Sequence, residues 1–256
     1  ITYFIGETME NFIIKAFSMA DIKDDFVLNF IKDNRWKYLT DGLKITLEVT
    51  FFAVILGIVL GSVIAIIRST YDTNYESMKS KVGKAVLKIL NLVAKIYLTV
   101  IRGTPVVVQL MIMYYVIFST SNNKVPIAIL SFGINSGAYV AEIIRSGIMA
   151  IDRGQFEAGR SLGFNYIQTM IYIILPQAFK NILPALANEF IVLLKETSVA
   201  GYVALQDLTK GGDIIRSRTY SAFMPLITVA VIYLVMVMFF TYLVGRLERR
   251  LRNDER

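Results

Sequence analysis

The 256-residue chain contains no cysteine and no histidine. Disulfide bonds, thiolate nucleophiles, imidazole bases and the common zinc and haem ligands are therefore excluded, and no metal, cofactor or covalent chemistry is expected. No GxxxxGKS or GxxxxGKT run occurs either, so the chain lacks the loop that cradles nucleotide phosphates, and any ATP hydrolysis falls to another chain. Proline is scarce, at five residues, and Trp36 is the single tryptophan. The formal charge is +7, yet the basic residues gather at the ends of apolar runs and form no stripe interleaved with aromatics. That distribution speaks against nucleic acid as a partner and for a role in membrane topology.

Apolar residues are what the chain has in excess: 55% of it is hydrophobic, and the mean hydropathy is +0.56. They come in blocks of about 20, the length that crosses the hydrocarbon core of a bilayer. The fold expected is an all-α integral membrane protein with about five spans, near 39–67, 89–118, 125–148, 166–194 and 223–243. Residues 1–37 hold no run long enough to span and no basic leader before an apolar stretch. Phe12, Ile13, Ala16, Phe17 and Met19, then Phe26, Val27, Phe30 and Ile31, recur at helical spacing, which predicts an amphipathic arm lying on the membrane surface. Residues 38–250 form the membrane domain and 251–256 a basic, solvated tail.

Several local features refine this outline. Gly57 and Gly61 form a GxxxG step that serves either packing inside one protomer or dimerisation. A polar loop is expected over 68–88, and Arg102-Gly103-Thr104-Pro105 interrupts the second span. Pro176 and Pro184 are expected to break or kink the fourth. Residues 195–220 read as polar and glycine-containing, with a short helix near 204–208. Lys and Arg number thirteen over 68–88, 145–160 and 246–256, against five on the opposite loops. By the positive-inside rule the 149–165 loop and the C-terminus are cytoplasmic and the N-terminal arm is outside.

The 152–176 stretch, DRGQFEAGRSLGFNYIQTMIYIILP, organises the rest. Lipid cannot accept its charged half, so it faces water between two spans. A short helix over 155–162 is expected there, with Gly163 turning the chain back into the membrane. Glu157-Ala158-Gly159, then Gly163, Ile173 and Leu175-Pro176, resemble the EAA motif of ABC importer permeases, with glycine replacing alanine at the third position. Arg102-Gly103-Thr104-Pro105, Asn135-Ser136-Gly137-Ala138-Tyr139, Leu175-Pro176-Gln177-Ala178 and Leu193-Leu194-Lys195-Glu196-Thr197-Ser198 are similar to the polar amino acid subfamily, the histidine, glutamine and arginine type.

The resemblance implies a type I importer permease fold in a bacterial inner membrane. It implies a second permease subunit, identical or not, two ATP-hydrolysing subunits, an extracytoplasmic substrate-binding protein and an amino acid as substrate. Glu157, Ala158, Gly159 and Gly163 would then belong to a coupling helix that docks on the ATPase; the alternative is an ordinary amphipathic connector. Ionisable groups within a membrane are expensive and mark routes or pairs. Arg102, about 20 Å into the second span, and Glu142, about 9 Å from the end of the third, therefore either contact a zwitterionic substrate or form a structural ion pair, and Glu142 has Arg145 one turn on. Thr104, Asn135 and Ser136 line the route or bond across helices. Glu189 and Lys195 sit toward the outer end of the fourth span, where Lys195 with Glu196 serves an external gate or the interface. A permease for a related solute, an opine or a dipeptide, fits the same motifs. An ion-gradient-driven carrier is the rival from another class; five spans, no inverted repeat and a polar docking loop argue against it.

Overall fold

The computed structural model describes residues 19–253. The expected helical spacing over Phe12 to Phe17 lies outside them, as does the end of the basic tail. Helix α1 (Met19–Phe26) runs through a π-helical turn, Val27–Ile31, and a 3-10 turn, Lys32–Asn34, into α2 (Trp36–Asn74). Asp33 and Asn34 reverse the chain at φ 56 and 52, a left-handed conformation that Asn and Asp tolerate best after glycine. Arg35 locks the reversal, donating from Nη1 to the Leu28 carbonyl (2.7 Å) and from Nη2 to Asp33 Oδ2 (2.7 Å). This end of the arm does not lie free on lipid. Phe30 is buried with Leu39, Leu208, Ile215 and Val229. Buried Asn29 accepts from Thr219 Oγ1 (2.8 Å) and donates to Ser221 Oγ (3.3 Å).

Helix α2 has 39 residues, about 58 Å at 1.5 Å per residue, far more than a hydrocarbon core requires. It does not give way to a loop at Arg68. Arg68 Nη1 donates to Asn91 Oδ1 (3.0 Å), and Thr73 shares a hydrogen bond with the Tyr166 hydroxyl (2.9 Å), so the polar residues beyond the apolar body remain helical. The turn is only 75–80. Ser80 then caps α3 (Lys81–Arg102), its Oγ accepting from the Gly83 N–H at 3.1 Å.

The second span is broken more sharply than an interruption implies. Pro105 has no N–H and disfavours a helical residue before it. Helix α4 (Val106–Ile112), extended by a π-helical turn over Met113–Ile117, leaves α3 at a bend of 105°. The Gln109 side chain takes up the acceptors the break frees: its Nε2 donates to the Ile101 carbonyl (2.7 Å), the Thr104 carbonyl (3.1 Å) and Thr104 Oγ1 (2.8 Å).

Helix α5 (Lys124–Met149) is central, with Phe132, Ser136 and Val140 almost wholly buried. It packs on α2, where a Cβ on Gly57 would stand 2.9 Å from Ser136 Oγ and one on Gly61 2.5 Å from Val140 Cγ1. The GxxxG step therefore serves packing within the protomer. After α6 (Arg153–Ser161), a half-buried return passes through α7 (Tyr166–Thr169) and a π-helical turn, Met170–Ile174, into α8 (Leu175–Glu196). Neither proline ends this helix. Pro176 follows directly on the π-helical turn, inside a helical run that continues from Tyr166, and Pro184 is carried within α8.

A 3-10 turn, Thr197–Val203, ends at Ala204 (φ 54), and the helix expected near 204–208 instead occupies 208–219 as α9 (Leu208–Thr219). It starts there because Asp207 is its N-cap, accepting from the Thr209 and Lys210 N–H groups at 3.0 Å each. The last helix, α10 (Phe223–Asn253), exposes Ile227, Leu234, Val235, Met238 and Phe239, a lipid-facing surface. Four helical segments, α2, α5, the α7–α8 run and α10, are long and apolar enough to cross a membrane; α3 and α4 reach that measure only when the bent pair is counted together.

Candidate functional site

Helix α6 stands between α5 and the α7–α8 run, capped at both ends by its own sequence. Asp152 Oδ1 accepts from the Gly154 N–H (2.6 Å) at the start. At the finish Phe164 N–H donates to the Gly159 carbonyl (3.0 Å) and Gly163 N–H to the Arg160 carbonyl (2.9 Å), the pair of bonds of a Schellman motif, which requires a left-handed residue at Gly163. Gly163 has φ +81. Asn165 and Gln168 then form a reciprocal capping box that restarts the helix.

The two faces of α6 differ. Phe156 packs into the cluster of Ile148, Ile174, Ala178 and Ile182, whereas Glu157, Ala158, Arg160 and Leu162 are exposed. Gly159 is buried because α6 lies directly on the return: a Cβ there would stand 2.7 Å from Thr169 Cγ2 and 3.1 Å from Ile173 Cδ1. Glycine at the third EAA position thus has a local steric cause. Asp72, Thr73, Arg153, Phe156, Glu157 and Arg160 line a cavity of about 330 Å³ where the end of α2 meets this helix.

The charged candidates form a relay across three helices. Arg102 Nη1 lies 3.9 Å from Glu142 Oε1, Arg145 Nη2 lies 3.6 Å from Glu142 Oε2, and Arg145 Nη1 lies 3.2 Å from Asp72 Oδ2. The Arg102 guanidinium also sits 5.6 Å from the Tyr139 ring centroid. Both Glu142 pairings foreseen as alternatives are present together. The bend at Pro105 corrects the depth of Arg102: it sits level with Glu142, seven residues or about 10 Å from the end of α5, and not 20 Å up a straight span. Asp72 was not anticipated, because it lies 73 residues from Arg145 in a stretch read as loop.

The neutral candidates separate into two groups. Asn135 Nδ2 donates to Gln109 Oε1 (3.0 Å), joining the Gln109–Thr104 network beside a cavity of about 250 Å³ that Ser131 and Ile134 also line. Ser131 Oγ is buried without a hydrogen-bond partner among the described residues. Ser136 Oγ donates to Glu189 Oε1 (2.8 Å), a buried bond that ties α5 to α8. Lys195, exposed at the end of α8, joins neither group. Gln109 is the site residue that sequence reading missed; its signal is a polar side chain four residues after the proline that ends α3.

Comparison with known proteins places this geometry. Residues 82–253 match the family described as binding-protein-dependent transport system inner membrane component. The arginine transport system permease protein of Bacillus subtilis is 40% identical over 64% of this chain and 76% of its own length. The glutamine transport system permease protein of Escherichia coli is 38% identical over 64% of this chain and 77% of its own. The crystal structure of an amino acid ABC transporter with histidines superposes with a TM-score of 0.74 at 43% identity, over 86% of this chain and 98% of that one. With an all-helical membrane domain, an exposed capped helix between two spans and a matched segment covering two thirds of its length, the chain belongs to the binding-protein-dependent transport system inner membrane components, the permease subunits of ABC importers.

Proposed function

We propose that this permease carries polar amino acids into the cytoplasm, as one of a pair of permease subunits above two ATPase subunits and below an extracytoplasmic binding protein. The observation that carries the coupling half is α6. It is a helix fixed in place by its own caps, with Phe156 anchored in the protein while Glu157, Ala158 and Leu162 face outward, and that is the form a docking element needs. Glu157 and Ala158 meet the ATPase groove, Gly159 holds α6 against the return, and Gly163 sets its angle. Displacement of the paired ATPases moves α6 as a rigid unit and shifts the subunits between outward and inward access. The distribution of basic residues supports a cytoplasmic α6 and C-terminus, with the N-terminal arm, residues 1–37, outside.

The route runs past Arg102, Thr104, Asn135, Ser136, Glu142 and Glu189, with Lys195 toward the outer gate. At 3.9 Å, and with 44% of the Arg102 side chain exposed, the Arg102–Glu142 pair is loose enough for a substrate carboxylate to compete for the guanidinium while Glu142 meets the substrate ammonium. The named relatives, for arginine and for glutamine, support a substrate bearing both groups. The experiment is a double-mutant cycle on the complex assembled with its ATPases and binding protein. Arg102→Gln and Glu142→Gln should each depress substrate-stimulated ATPase activity without dissociating the complex, and the double variant should stay depressed. Recovery in the double variant would leave the pair a structural one.

A further inference from the structure

Helix α3 carries a feature that transport of an amino acid does not use. Lys81, Lys88, Lys95 and Arg102 follow one another at seven-residue steps, with Lys84 between the first two, and no acidic residue occurs anywhere in the helix. Seven residues drift only about 20° around an α-helix, so these cations form one nearly straight edge. It runs beside the inward face, where Leu87, Asn91, Ala94 and Leu98 are buried. On its other flank Val86, Ile89, Leu90, Val93 and Ile96 are exposed. Lys84 is engaged locally, donating to the Glu76 carbonyl (3.1 Å), and Arg102 belongs to the relay with Glu142. Lys81, Lys88 and Lys95 have no ion pair or hydrogen bond among the described residues.

The geometry says which medium this edge meets. Beyond Pro105 the chain follows α5 antiparallel: Gln109 bonds Asn135, Leu110 packs with Phe132, and Tyr114 lies under Lys124. Because α5 crosses the membrane, the 105° bend lays α3 close to the membrane plane. Accordingly α3 meets α5 through its last turns, from Tyr97, whose hydroxyl donates to the Ile134 carbonyl (2.6 Å), to Arg102. A helix in that attitude, with apolar residues on one flank and unpaired lysines on one edge, matches an interfacial helix whose apolar side enters the acyl region while its cations stay at the headgroup level. From Lys81 to Lys95 the edge is about 21 Å long, room for more than one headgroup.

We propose that the Lys81–Lys88–Lys95 edge of α3 binds anionic phospholipid headgroups, with phosphate oxygens accepting from the three ammonium groups. The bound lipids hold α3 in the interface and so fix the far end of the helix, where Arg102 meets Glu142. The occupant is anionic because three cations in a row, with no carboxylate paired to them among the described residues, are balanced best by negative charge.

The test uses the full chain assembled with its ATPases in phosphatidylcholine vesicles, and compares the immobilised fraction of spin-labelled phosphatidylglycerol with that of spin-labelled phosphatidylcholine. Wild type should prefer phosphatidylglycerol. The triple Lys→Gln variant should lose that preference, by about fivefold for each lysine at an occupied site. The triple Lys→Arg variant should keep it, as should Lys37→Gln with Lys44→Gln at the opposite end of α2. Absence of a preference in wild type, or its survival in the triple Lys→Gln variant, overturns the proposal. So does release of the ATPases by that variant with lipid selectivity unchanged, which would make the edge a protein contact. Selectivity is read without regard to sidedness, so an error in membrane orientation would not alter it.

Discussion

Gly163→Val isolates the backbone of the coupling helix. A Cβ at this position would meet nothing within 4 Å, so the substitution adds no clash inside the subunit, and its cost comes from holding a β-branched residue at φ +81. Left-handed backbone costs an ordinary side chain about 1–2 kcal/mol, and a strained, branched residue about 2–3 kcal/mol. The Phe164-to-Gly159 and Gly163-to-Arg160 bonds depend on that conformation and repay too little to hold it. The last turn of α6 therefore opens, carrying Leu162 and Arg160 away from their places. If the ATPase binds only the closed form, its apparent affinity should fall about 30- to 150-fold. Titrating ATPase subunits onto permease in nanodiscs measures this directly, with the helical circular dichroism of the spans as a check on folding. Asn, which tolerates this backbone, should lose far less than Ala, and Ala less than Val. Equal losses for Asn and Val would mean that the surface around Gly163 matters and not its φ, and wild-type affinity for Val would remove the coupling role.

Other expectations follow from the same packing. Gly159→Ala must push Thr169 and Ile173, so ATPase coupling should weaken, and Thr169→Ala, which removes both atoms nearest the new Cβ, should restore it in the double variant. At Asp207 burial raises the carboxyl pKa above its ordinary value, against the lowering effect of the capping bonds from Lys210 and Thr209. The folded state then holds this proton more tightly than the unfolded state, so the contribution to stability falls as pH rises from the ordinary carboxylate range through the raised value and is flat beyond it. Asp207→Asn keeps an acceptor and should erase that pH dependence in thermal unfolding scans, while Asp207→Ala should cost about 1–2 kcal/mol through loss of the cap. In a chain with no native cysteine, Asn165→Cys should label with impermeant maleimide only from the cytoplasmic side and Asn122→Cys only from outside; the reverse pattern would invert the topology.

Elements written by local chemistry were legible in the sequence. The polar helix and Gly163 behind it rest on bonds three to five residues long, and the structure realises α6 within two residues of its expected limits. Hydropathy located the spans but misjudged where helices end, because it reports the solvent a residue prefers and not its backbone state. Arg68 to Asn74 leaves the lipid while remaining helical on the strength of Arg68–Asn91 and Thr73–Tyr166, contacts with partners 23 and 93 residues away. The break at Pro105 was visible, whereas its direction was not, since the bend rests on Gln109 and on packing against α5. Likewise Pro184 failed to end α8, and the arm's Asn29 found its partners near residue 220. In the candidate site the residue types were legible and their grouping was not: Arg102 and Glu142 fall in one relay, Ser136 and Glu189 in another pair, and Lys195 in neither.

That this chain transports only when a partner docked on α6 hydrolyses ATP is tested most directly by reconstituting the permease in vesicles with binding protein and labelled amino acid, with and without ATPase subunits. Uptake should be absent from the permease alone under any imposed ion gradient, appear when ATPase and ATP are both supplied on the side bearing α6, and disappear again in Gly163→Val. Gradient-driven uptake by the permease alone, or ATP-driven uptake undiminished in that variant, would contradict it.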